Sequence, residues 1–497
     1  VVFIWIWLRE MTSSSGNTSA GNALLDAHDS TLAANESKLR LSVFVSSLNL
    51  FCLGYNTGII AGAIICIEDD PTFEPVSSLE SGMIVSCVLA GATLGAAFGS
   101  IADYIGRRRT QLAVACIYVL APLGMALAPN TWLLVVARTL SGIAVGVSSA
   151  LGNLYISEIA PAQSRGRLGG WAPFMGTTGI LVSYIVSAIC SVLPGGAWRL
   201  QVGCASLPAL MFLLLQRSVP ETPRWLVVQE RREQALASLR QLFPTAPEEV
   251  VQAELQRIIV DLNQSQVNEK VGLCALWGNY SLPCVLGVCI NVLQQVSGIN
   301  VVIYFGPEIL KDAGFDTTAS MIATAAVSVM QLIATLVLMR QIDRIGRRPL
   351  ALLGIILMMF GLGLLIAAFL AKAASLAASG LASWTSWVAV AGMLLFRSAF
   401  SMSLGPLPYI MTSEFFPQEA RASGVALSWM SNWGSNFCVS LTFPIIVEAF
   451  GKCVGKKAGI AVIFSIYIGF CMVAYVFVLK LLPETRGLRL EAAAGGA

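Results

Sequence analysis

Charged residues are scarce in this sequence, and histidine is nearly absent. Only 12% of the 497 residues are Asp, Glu, Lys or Arg, roughly half the share typical of a soluble protein, whereas 56% are hydrophobic. The one histidine, His28, lies in a polar stretch near the N-terminus, so the hydrophobic segments contain no imidazole that could act as a base or bind a metal. This composition, with a mean hydropathy of +0.74, predicts a polytopic membrane protein.

Sequence motifs for catalysis and for metal binding are also missing. The twelve cysteines form no C-x-x-C pair and no cluster with histidine, and we interpret them as small buried hydrophobic residues. No nucleophile–base pair, phosphate-binding loop or metal-ligand set is present. An enzyme is therefore the least favoured class of protein, and we expect neither a cofactor nor a metal site.

Long hydrophobic windows fill most of the chain instead. Each is long enough to cross the hydrocarbon core of a bilayer as a helix, a conformation that satisfies its own backbone hydrogen bonds there. The windows fall at approximately residues 41–67, 79–102, 110–128, 132–156, 168–193, 197–216, 277–306, 317–341, 349–371, 384–412, 422–450 and 457–482. Six windows, a hydrophilic segment and six more windows predict an all-α bundle of twelve transmembrane helices.

These windows divide the chain into five parts. We expect a disordered tail at 1–40, a six-helix bundle at 41–216, a helical linker at 217–276, a second six-helix bundle at 277–482 and a tail at 483–497. In the linker, VVQERREQALASLRQLF and PEEVVQAELQRIIVDL carry apolar residues at the spacing of amphipathic helices. Both are too polar to insert into a membrane, so we expect them at its face, as a simple connector or as a gating element.

Basic residues indicate the orientation of the chain. If the windows alternate in direction, one side of the membrane receives Arg107–Arg109, Arg165, Arg167, Arg224, Arg231, Arg232, Arg344, Arg347, Arg348, Arg421 and Arg486. The loops on the other side hold few cations. The positive-inside rule therefore predicts that both termini and the linker are cytosolic.

An internal repeat relates the two groups of windows. Three motifs of the first half have partners in the same order in the second: ADYIGRRR (102–109) with IDRIGRRP (342–349), SEIAPAQSRG (157–166) with SEFFPQEARA (413–422), and PETPR (220–224) with PETRG (483–487). Transporters built from two repeats place their substrate site between the repeats.

Several motifs together resemble those of sugar porters of the major facilitator superfamily, over about residues 40–490. They are GSIADYIGRRR (99–109), PETPRWL (220–226), QQVSGIN (294–300), NW (432–433) and PETRG (483–487). The motifs are more similar to plastid-type glucose translocators and facilitative glucose transporters than to bacterial proton-coupled porters. The resemblance implies the major facilitator fold, with two pseudo-symmetric six-helix halves and a cytosolic helical linker. It also implies transport of a monosaccharide across a bilayer, with no nucleic acid and no obligate protein partner.

Charged residues at the helix ends on the basic side can form ion pairs between helices. We expect Asp103 to pair with Arg107 or Arg108, and Glu158 with Arg165. Such pairs would break when the halves rock, so we interpret them as a conformational latch; the alternative is topological anchoring by positive charge alone. The repeat and the family motifs add the gating candidates Asp343, Arg347, Glu414, Arg421, Arg138, Glu221, Arg224 and Glu484.

Amide side chains near the middle of the seventh window are candidates for substrate binding. Gln294, Gln295 and Asn300 surround Gly298, which we expect to break the helix. Amides both donate and accept hydrogen bonds and so suit a neutral ligand made of hydroxyls, and the resemblance assigns sugar binding to these three. It further implies four substrate-site residues, Gln331, Tyr409, Trp433 and Asn436. For a lone amide, the alternative is hydrogen bonding between helices.

Two positions depart from the family pattern. Pro173 and Ile180 stand where relatives carry glutamines, and the pattern predicts that Pro173 kinks the fifth helix. Both departures therefore bear on which sugar is carried. Ser401 replaces an acidic residue that some relatives have in the tenth helix.

Asn56, in the middle of the first window, bears on the mode of transport. The resemblance implies an aspartate here in proton symporters and an asparagine in facilitative carriers. A buried carboxylate can couple proton uptake to a conformational change, whereas an amide cannot titrate. We therefore predict downhill transport of a hexose, with Asn56 among the substrate-site residues. The alternatives are an amide kept for helix packing, a proton-coupled sugar or polyol/inositol symporter, and a non-transporting sugar sensor.

Overall fold

In the part of the chain that the structure describes, twelve hydrophobic helices follow one another in the order of the twelve windows. The computed structural model describes residues 37–68, 70–71, 73, 76–98, 101–161, 164, 168–193, 197–265, 273–374, 382–416 and 418–482. The helices are α1 (Ser37–Glu68), α2 (Ser78–Ala97), α3 (Arg107–Ala126), α4 (Thr131–Ile159), α5 (Trp171–Cys190), α6 (Trp198–Gly203 and Ser206–Leu215), α7 (Ser281–Val296 and Ile299–Tyr304), α8 (Thr317–Ile345), α9 (Arg347–Ala374), α10 (Ala382–Ser401 and Leu407–Phe415), α11 (Gln418–Val454) and α12 (Lys456–Leu481). Eleven spans in the described residues are long and apolar enough to cross a bilayer, and α10 is divided by a turn at 402–406.

Local sequence explains where several helices begin. A capping box starts α2: the Oγ of Ser77 accepts a hydrogen bond from the Glu80 N–H at 3.3 Å, and Glu80 Oε2 accepts one from the Ser77 N–H at 2.9 Å. At the start of α4, Asn130 Oδ1 accepts a hydrogen bond from the Leu133 N–H at 2.9 Å. These caps satisfy backbone donors that have no partner inside the helix.

The two halves have the same helix packing. In the first half α1 packs on α5, α2 on α4 and α3 on α6; in the second, α7 packs on α11, α8 on α10 and α9 on α12. Adding six to each number converts one set of contacts into the other. The halves meet at two interfaces, where α2 packs on α11 and where α5 packs on α8. The symmetry that relates α2 to α8 and α5 to α11 converts each of these interfaces into the other. The two related halves expected from the sequence motifs are therefore confirmed.

Small residues allow the helices of a half to approach closely. A Cβ added to Gly54 on α1 would lie 1.9 Å from the carbonyl oxygen of Gly176 on α5. A Cβ on Gly142 of α4 would lie 2.1 Å from the carbonyl oxygen of Val88 on α2. Membrane helices commonly use glycine in this way, because van der Waals contact rather than the hydrophobic effect holds them together.

The two amphipathic helices predicted in the linker are present, at Arg232–Leu242 and Glu248–Ser265, and a short helix, Pro223–Val228, precedes them. Their apolar residues, among them Leu239 and Leu255, are buried in a hydrophobic core shared with α1, α4 and α5. The linker helices are therefore packed on the first half.

Two expectations about helix breaks have different outcomes. The predicted break in α7 is confirmed: Gly298 has a φ of +85°, and a Cβ there would lie 2.3 Å from the ring of Tyr467. The kink at Pro173 stays a prediction: residues 168–169 are helical, Gly170 keeps helical backbone angles, and α5 begins at Trp171, two residues before the proline.

Candidate functional site

Asn432 of α11 lies at the centre of an amide network with α7. Its Nδ2 donates to Gln294 Oε1 at 2.6 Å, and its Oδ1 accepts a hydrogen bond from Gln295 Nε2 at 2.8 Å. Gln294 Nε2 in turn donates to the carbonyl oxygens of Leu404 and Gly405, at 2.8 and 2.9 Å. The network therefore joins α7 and α11 to the turn that divides α10.

The network extends in both directions along α7. Asn300 Nδ2 donates to Gln295 Oε1 beyond the helix break. One turn before Gln294, Asn291 Oδ1 accepts from Asn432 Nδ2 at 3.0 Å, and Asn291 Nδ2 donates to Thr412 Oγ1 at 3.1 Å. Neither Asn291 nor Asn432 was predicted from the sequence as a site residue. The i, i+3 spacing of Asn291 and Gln294 could have indicated Asn291.

Most amide groups of this network are already satisfied within the protein. Gln294 and Gln295 are only 4% and 5% exposed, so they offer little surface to a ligand. Asn300 is half-buried, and its Oδ1 has no protein partner among the described residues. Asn300 is therefore the member of the network that is best placed to meet a ligand.

A second polar group is centred on Arg397 of α10, which the sequence analysis did not identify. Arg397 Nε and Nη2 both donate to Gln331 Oε1, at 2.9 and 2.5 Å. The guanidinium carbon lies 5.6 Å from the centre of the Tyr184 ring, and Tyr184 Oη donates to the Ile303 carbonyl oxygen at 2.7 Å. An ionisable residue inside a hydrophobic window is itself a signal for a functional site.

The remaining candidates of the second half have different surroundings. Asn436 is the central residue of α11, and its Nδ2 donates to Tyr304 Oη at 3.2 Å. Trp433 is buried with its ring 6.4 Å from that of Trp429, and its Nε1 has no acceptor among the described residues. Tyr409 lies in the second segment of α10, and its side chain is outside the described part.

Asn56 lies apart from these groups and joins α1 to α4. It is fully buried; its Nδ2 donates to the Cys52 carbonyl oxygen, and its Oδ1 accepts from Ser141 Oγ, both at 2.9 Å. One turn from Ser141, Arg138 is also fully buried, and its three guanidinium nitrogens have no acceptor among the described residues. In this conformation Asn56 therefore makes a helix-packing contact and no hydrogen bond to the α7 amides.

Several gating candidates meet at one end of the bundle, here called the basic face (Asp103, Arg107, Glu158 and Glu221). Arg107 binds Glu158 with two hydrogen bonds, Nη2 to Oε1 at 2.8 Å and Nε to Oε2 at 3.0 Å. Its Nη1 lies 2.9 Å from Asp103 Oδ1. The partner of Glu158 in the structure is thus Arg107, and Arg165, expected from the sequence, lies outside the described residues.

Glu221 of the linker caps the start of α3 at this face. Its Oε1 accepts hydrogen bonds from the backbone N–H groups of Arg107 and Arg108, at 2.8 and 3.1 Å. Burial raises the pKa of Glu221, and these backbone donors oppose that rise. Trp225 Nε1 donates to the Asp103 carbonyl oxygen at 2.8 Å, so the linker is hydrogen-bonded to the basic face.

The other gating candidates are only partly visible. Arg224 is half-buried in the helix Pro223–Val228, and Arg347 is half-buried at the start of α9. Glu484 lies outside the described residues, as do the side chains of three candidates on helices of the second half, Asp343, Glu414 and Arg421.

Several known proteins are similar to this chain in sequence. The profile of a family described as "Sugar (and other) transporter" matches residues 42–495. The major myo-inositol transporter IolT of Bacillus subtilis is 33% identical over 91% of this chain and 93% of its own length. The glucose transporter GlcP of Staphylococcus epidermidis is 32% identical over 91% of this chain and 95% of its own length.

Solved structures are similar in fold as well as in sequence. A partially occluded inward-open structure of the xylose transporter XylE from E. coli has a TM-score of 0.74 and 28% identity, covering 90% of this chain and 98% of that chain. XylE bound to 6-bromo-6-deoxy-D-glucose, described as a major facilitator superfamily proton:xylose symporter, has a TM-score of 0.72 and covers 93% of this chain and 99% of that chain.

Proposed function

Because this chain belongs to the sugar transporter family of the major facilitator superfamily, we propose that it carries a hexose across a membrane by facilitated diffusion. Sugar transport by a multi-pass membrane protein follows from the family. The hexose, the absence of proton coupling and the roles of individual residues are the proposal.

The chemistry of the central groups supports a neutral polyhydroxyl substrate. Asn300 offers an amide oxygen, Gln331 an amide nitrogen, and Asn436 and Tyr304 form a polar pair on facing helices. Hydroxyls donate and accept hydrogen bonds and so pair with both kinds of group. In this proposal Asn300, Gln331 and Asn436 bind the sugar, while Gln294 and Gln295 hold Asn300 and the α10 turn in place.

The observation that carries the proposal of facilitated diffusion is the neutral amide of Asn56, whose nitrogen and oxygen each have a protein partner. A proton-coupled carrier needs a buried group that gains and loses a proton during the cycle. Asn56 cannot titrate, and its two polar atoms are bound to Cys52 and Ser141. In the twelve windows the acidic residues are Glu80 and Glu448, each near an end, and none of the windows contains a histidine.

The basic face is cytosolic in this proposal. The loops at this face contain more arginines than the loops at the other face contain cations, as expected from the positive-inside rule. The Arg107–Glu158 pair, the Glu221 cap and the linker helices would then form the cytosolic latch of the first half.

Proton-coupled transport of a pentose or polyol is the second candidate. XylE is described as a proton:xylose symporter, and IolT as a myo-inositol transporter, so these activities occur among similar proteins. They would require another titrating group in place of Asn56.

Transport by purified protein in liposomes tests the proposal. Labelled glucose, fructose, galactose, xylose and myo-inositol are offered with and without an imposed pH gradient, and with a proton ionophore. A hexose should enter preferentially and reach, without exceeding, its external concentration under all three conditions. Accumulation that the ionophore abolishes would establish symport, and a preference for xylose or inositol would exclude the hexose assignment.

A matched pair of variants tests the role of Asn56. Asn56→Asp introduces a group that can take up a proton beside Ser141, so its transport rate should depend on pH more steeply than that of the parent protein. Asn49→Asp places the same group two turns earlier on α1, where Asn49 is also buried. Equal pH dependence in both variants would show that any buried carboxylate on α1 has this effect, and that Asn56 has no special role.

A further inference from the structure

Arg397 is a buried cation in the middle of the second half. It is fully buried near the middle of α10 as a whole, and Gln331 is the central residue of α8. In the described part of the chain Arg397 has no carboxylate partner, and its Nη1 has no acceptor. Its contacts are Gln331 and the face of Tyr184, which belongs to the other half.

The contact with Arg397 determines how the Gln331 amide is oriented. Arginine has five N–H donors and no acceptor, so only the carbonyl oxygen of Gln331 can face it. Two nitrogens of Arg397 converge on that oxygen. The amide nitrogen of Gln331 must then point away, and it has no protein acceptor among the described residues.

We propose that Arg397 is a positioning residue for the substrate site: it binds the carbonyl oxygen of Gln331 and leaves Gln331 to face the transported sugar as a hydrogen-bond donor only. The inference rests on the proposed transport of a neutral sugar or polyol, and on neither hexose selectivity nor the absence of proton coupling. Gln331 would then select for a substrate oxygen at one position of the ring, because a donor needs an acceptor.

Arg138 shows that a buried arginine does not by itself produce this arrangement. It occupies α4, the counterpart of α10 in the first half, and is equally buried. None of its guanidinium nitrogens has an acceptor among the described residues, so it orients no amide there. The oriented donor belongs to the second half, which also contains the α7 amides.

Substrate analogues test the proposal on the reconstituted protein. For the sugar or polyol that is transported best, KM and kcat are measured for a series in which each hydroxyl is replaced by hydrogen or by fluorine. Fluorine keeps acceptor character and cannot donate, whereas hydrogen does neither. At one position the parent protein should bind the hydrogen analogue about tenfold more weakly than the fluorine analogue, as expected for one lost buried hydrogen bond.

Variants at the two positions separate orientation from packing. Gln331→Glu keeps an acceptor for Arg397 but replaces the NH₂ by an oxygen, so the difference in KM between the hydrogen and fluorine analogues should disappear. Arg397→Met frees the amide to rotate and should reduce the same difference. Arg397→Lys supplies a single donor nitrogen in place of the planar guanidinium. It should restore part of the KM difference between the analogues. The factor by which KM rises in the double variant Arg397→Met/Gln331→Ala should equal the factor in Gln331→Ala alone.

Other outcomes would overturn the proposal. If Arg397→Met lowers kcat for every analogue by the same factor and leaves the KM difference intact, Arg397 only packs α5 against α8 and α10. If the factors by which Arg397→Met and Gln331→Ala each raise KM multiply in the double variant, the two residues act independently. A parent protein that transports none of the sugars and polyols would overturn the proposed function, and this inference with it.

Discussion

Asn300 and Gln294 belong to one amide network but should contribute differently to transport. Asn300 is half-buried with an oxygen that is free of protein partners in the described part of the chain. Gln294 is 4% exposed and holds both Asn432 and the α10 turn. At the scale of the residue, one amide is placed to bind and the other to support.

Alanine variants should separate these two roles. Asn300→Ala removes a ligand contact and should raise KM about tenfold, since a buried hydrogen bond is worth about 1–3 kcal/mol, with little change in thermal stability. Gln294→Ala removes one hydrogen bond of Asn432 and the side-chain donor to the Leu404 and Gly405 carbonyl oxygens, so it should lower Tm as well as kcat. Transport kinetics and thermal unfolding of the purified variants measure both effects.

Asn153 offers a control for this comparison. It is exposed on α4, and its Nδ2 donates only to the Ser149 carbonyl oxygen of the same helix, at 3.3 Å. Asn153→Ala should leave KM and Tm unchanged. An unchanged KM in Asn300→Ala would move the binding site away from this end of α7.

At the scale of helices, the basic face depends on contacts of unequal burial. The side chains of Arg107 and Glu158 are 9% and 7% exposed, whereas that of Asp103 is 55% exposed. Removing one partner of a buried ion pair strands the other charge, whereas an exposed pair contributes little. The geometry therefore predicts that Glu158 contributes more than Asp103 to holding the basic face together.

The latch can be tested by neutralising each acid in turn. Glu158→Gln should slow transport strongly and lower Tm, because the Arg107 guanidinium loses its buried carboxylate and keeps the exposed one of Asp103. Asp103→Asn should have a much smaller effect. Arg240→Gln, which breaks an exposed pair with Glu248 between two linker helices, is the control and should transport at the parental rate. Correctly inserted Glu158→Gln protein that transports at the parental rate would exclude a latch.

At the scale of the whole molecule, the two halves also meet at the face opposite the basic one. Glu308 lies in the short helix Gly306–Asp312, which contacts α1 of the first half. The charged groups around it are Glu68 at the end of α1, Lys311 and Asp312 in its own helix, and Lys456 at the start of α12. Burial, followed by the negative charge of Glu68, raises the pKa of Glu308 to about 7.

This arrangement predicts that protons favour closure of that face. Glu308 loses burial and the proximity of Glu68 if the halves separate, so its pKa should fall toward the ordinary value of a glutamate. The closed arrangement, in which Glu308 has the higher pKa, is therefore stabilised as the pH falls below about 7. Above that pH Glu308 and Glu68 are both charged, and the closed arrangement is weakened. Lowering the pH from about 8 to about 6 should therefore reduce the accessibility of this face.

Spin-label distances between α1 and the helix Gly306–Asp312 measure this effect. Glu308→Gln should keep the labels close at both pH values, whereas Glu448→Gln, at an exposed acid on α11 paired with Lys452, should leave the response unchanged. A distance that does not change with pH in the parent protein would contradict the prediction. Because this response needs no net proton movement, it is compatible with facilitated diffusion.

The sequence by itself determined the helices, the two halves and the break at Gly298. These features depend on local properties: hydrophobic length, the spacing of charged motifs, and a glycine where the backbone needs a positive φ. The sequence placed the start of the fifth helix less well, because it did not show that α5 begins at Trp171, within a turn of Pro173. Only the tertiary structure decided which polar groups meet. Arg397 and Gln331 are 66 residues apart, Gln295 and Asn432 137, and Arg107 and Glu158 51. No pattern along the chain encodes those distances, because the packing of one helix on another brings the side chains together.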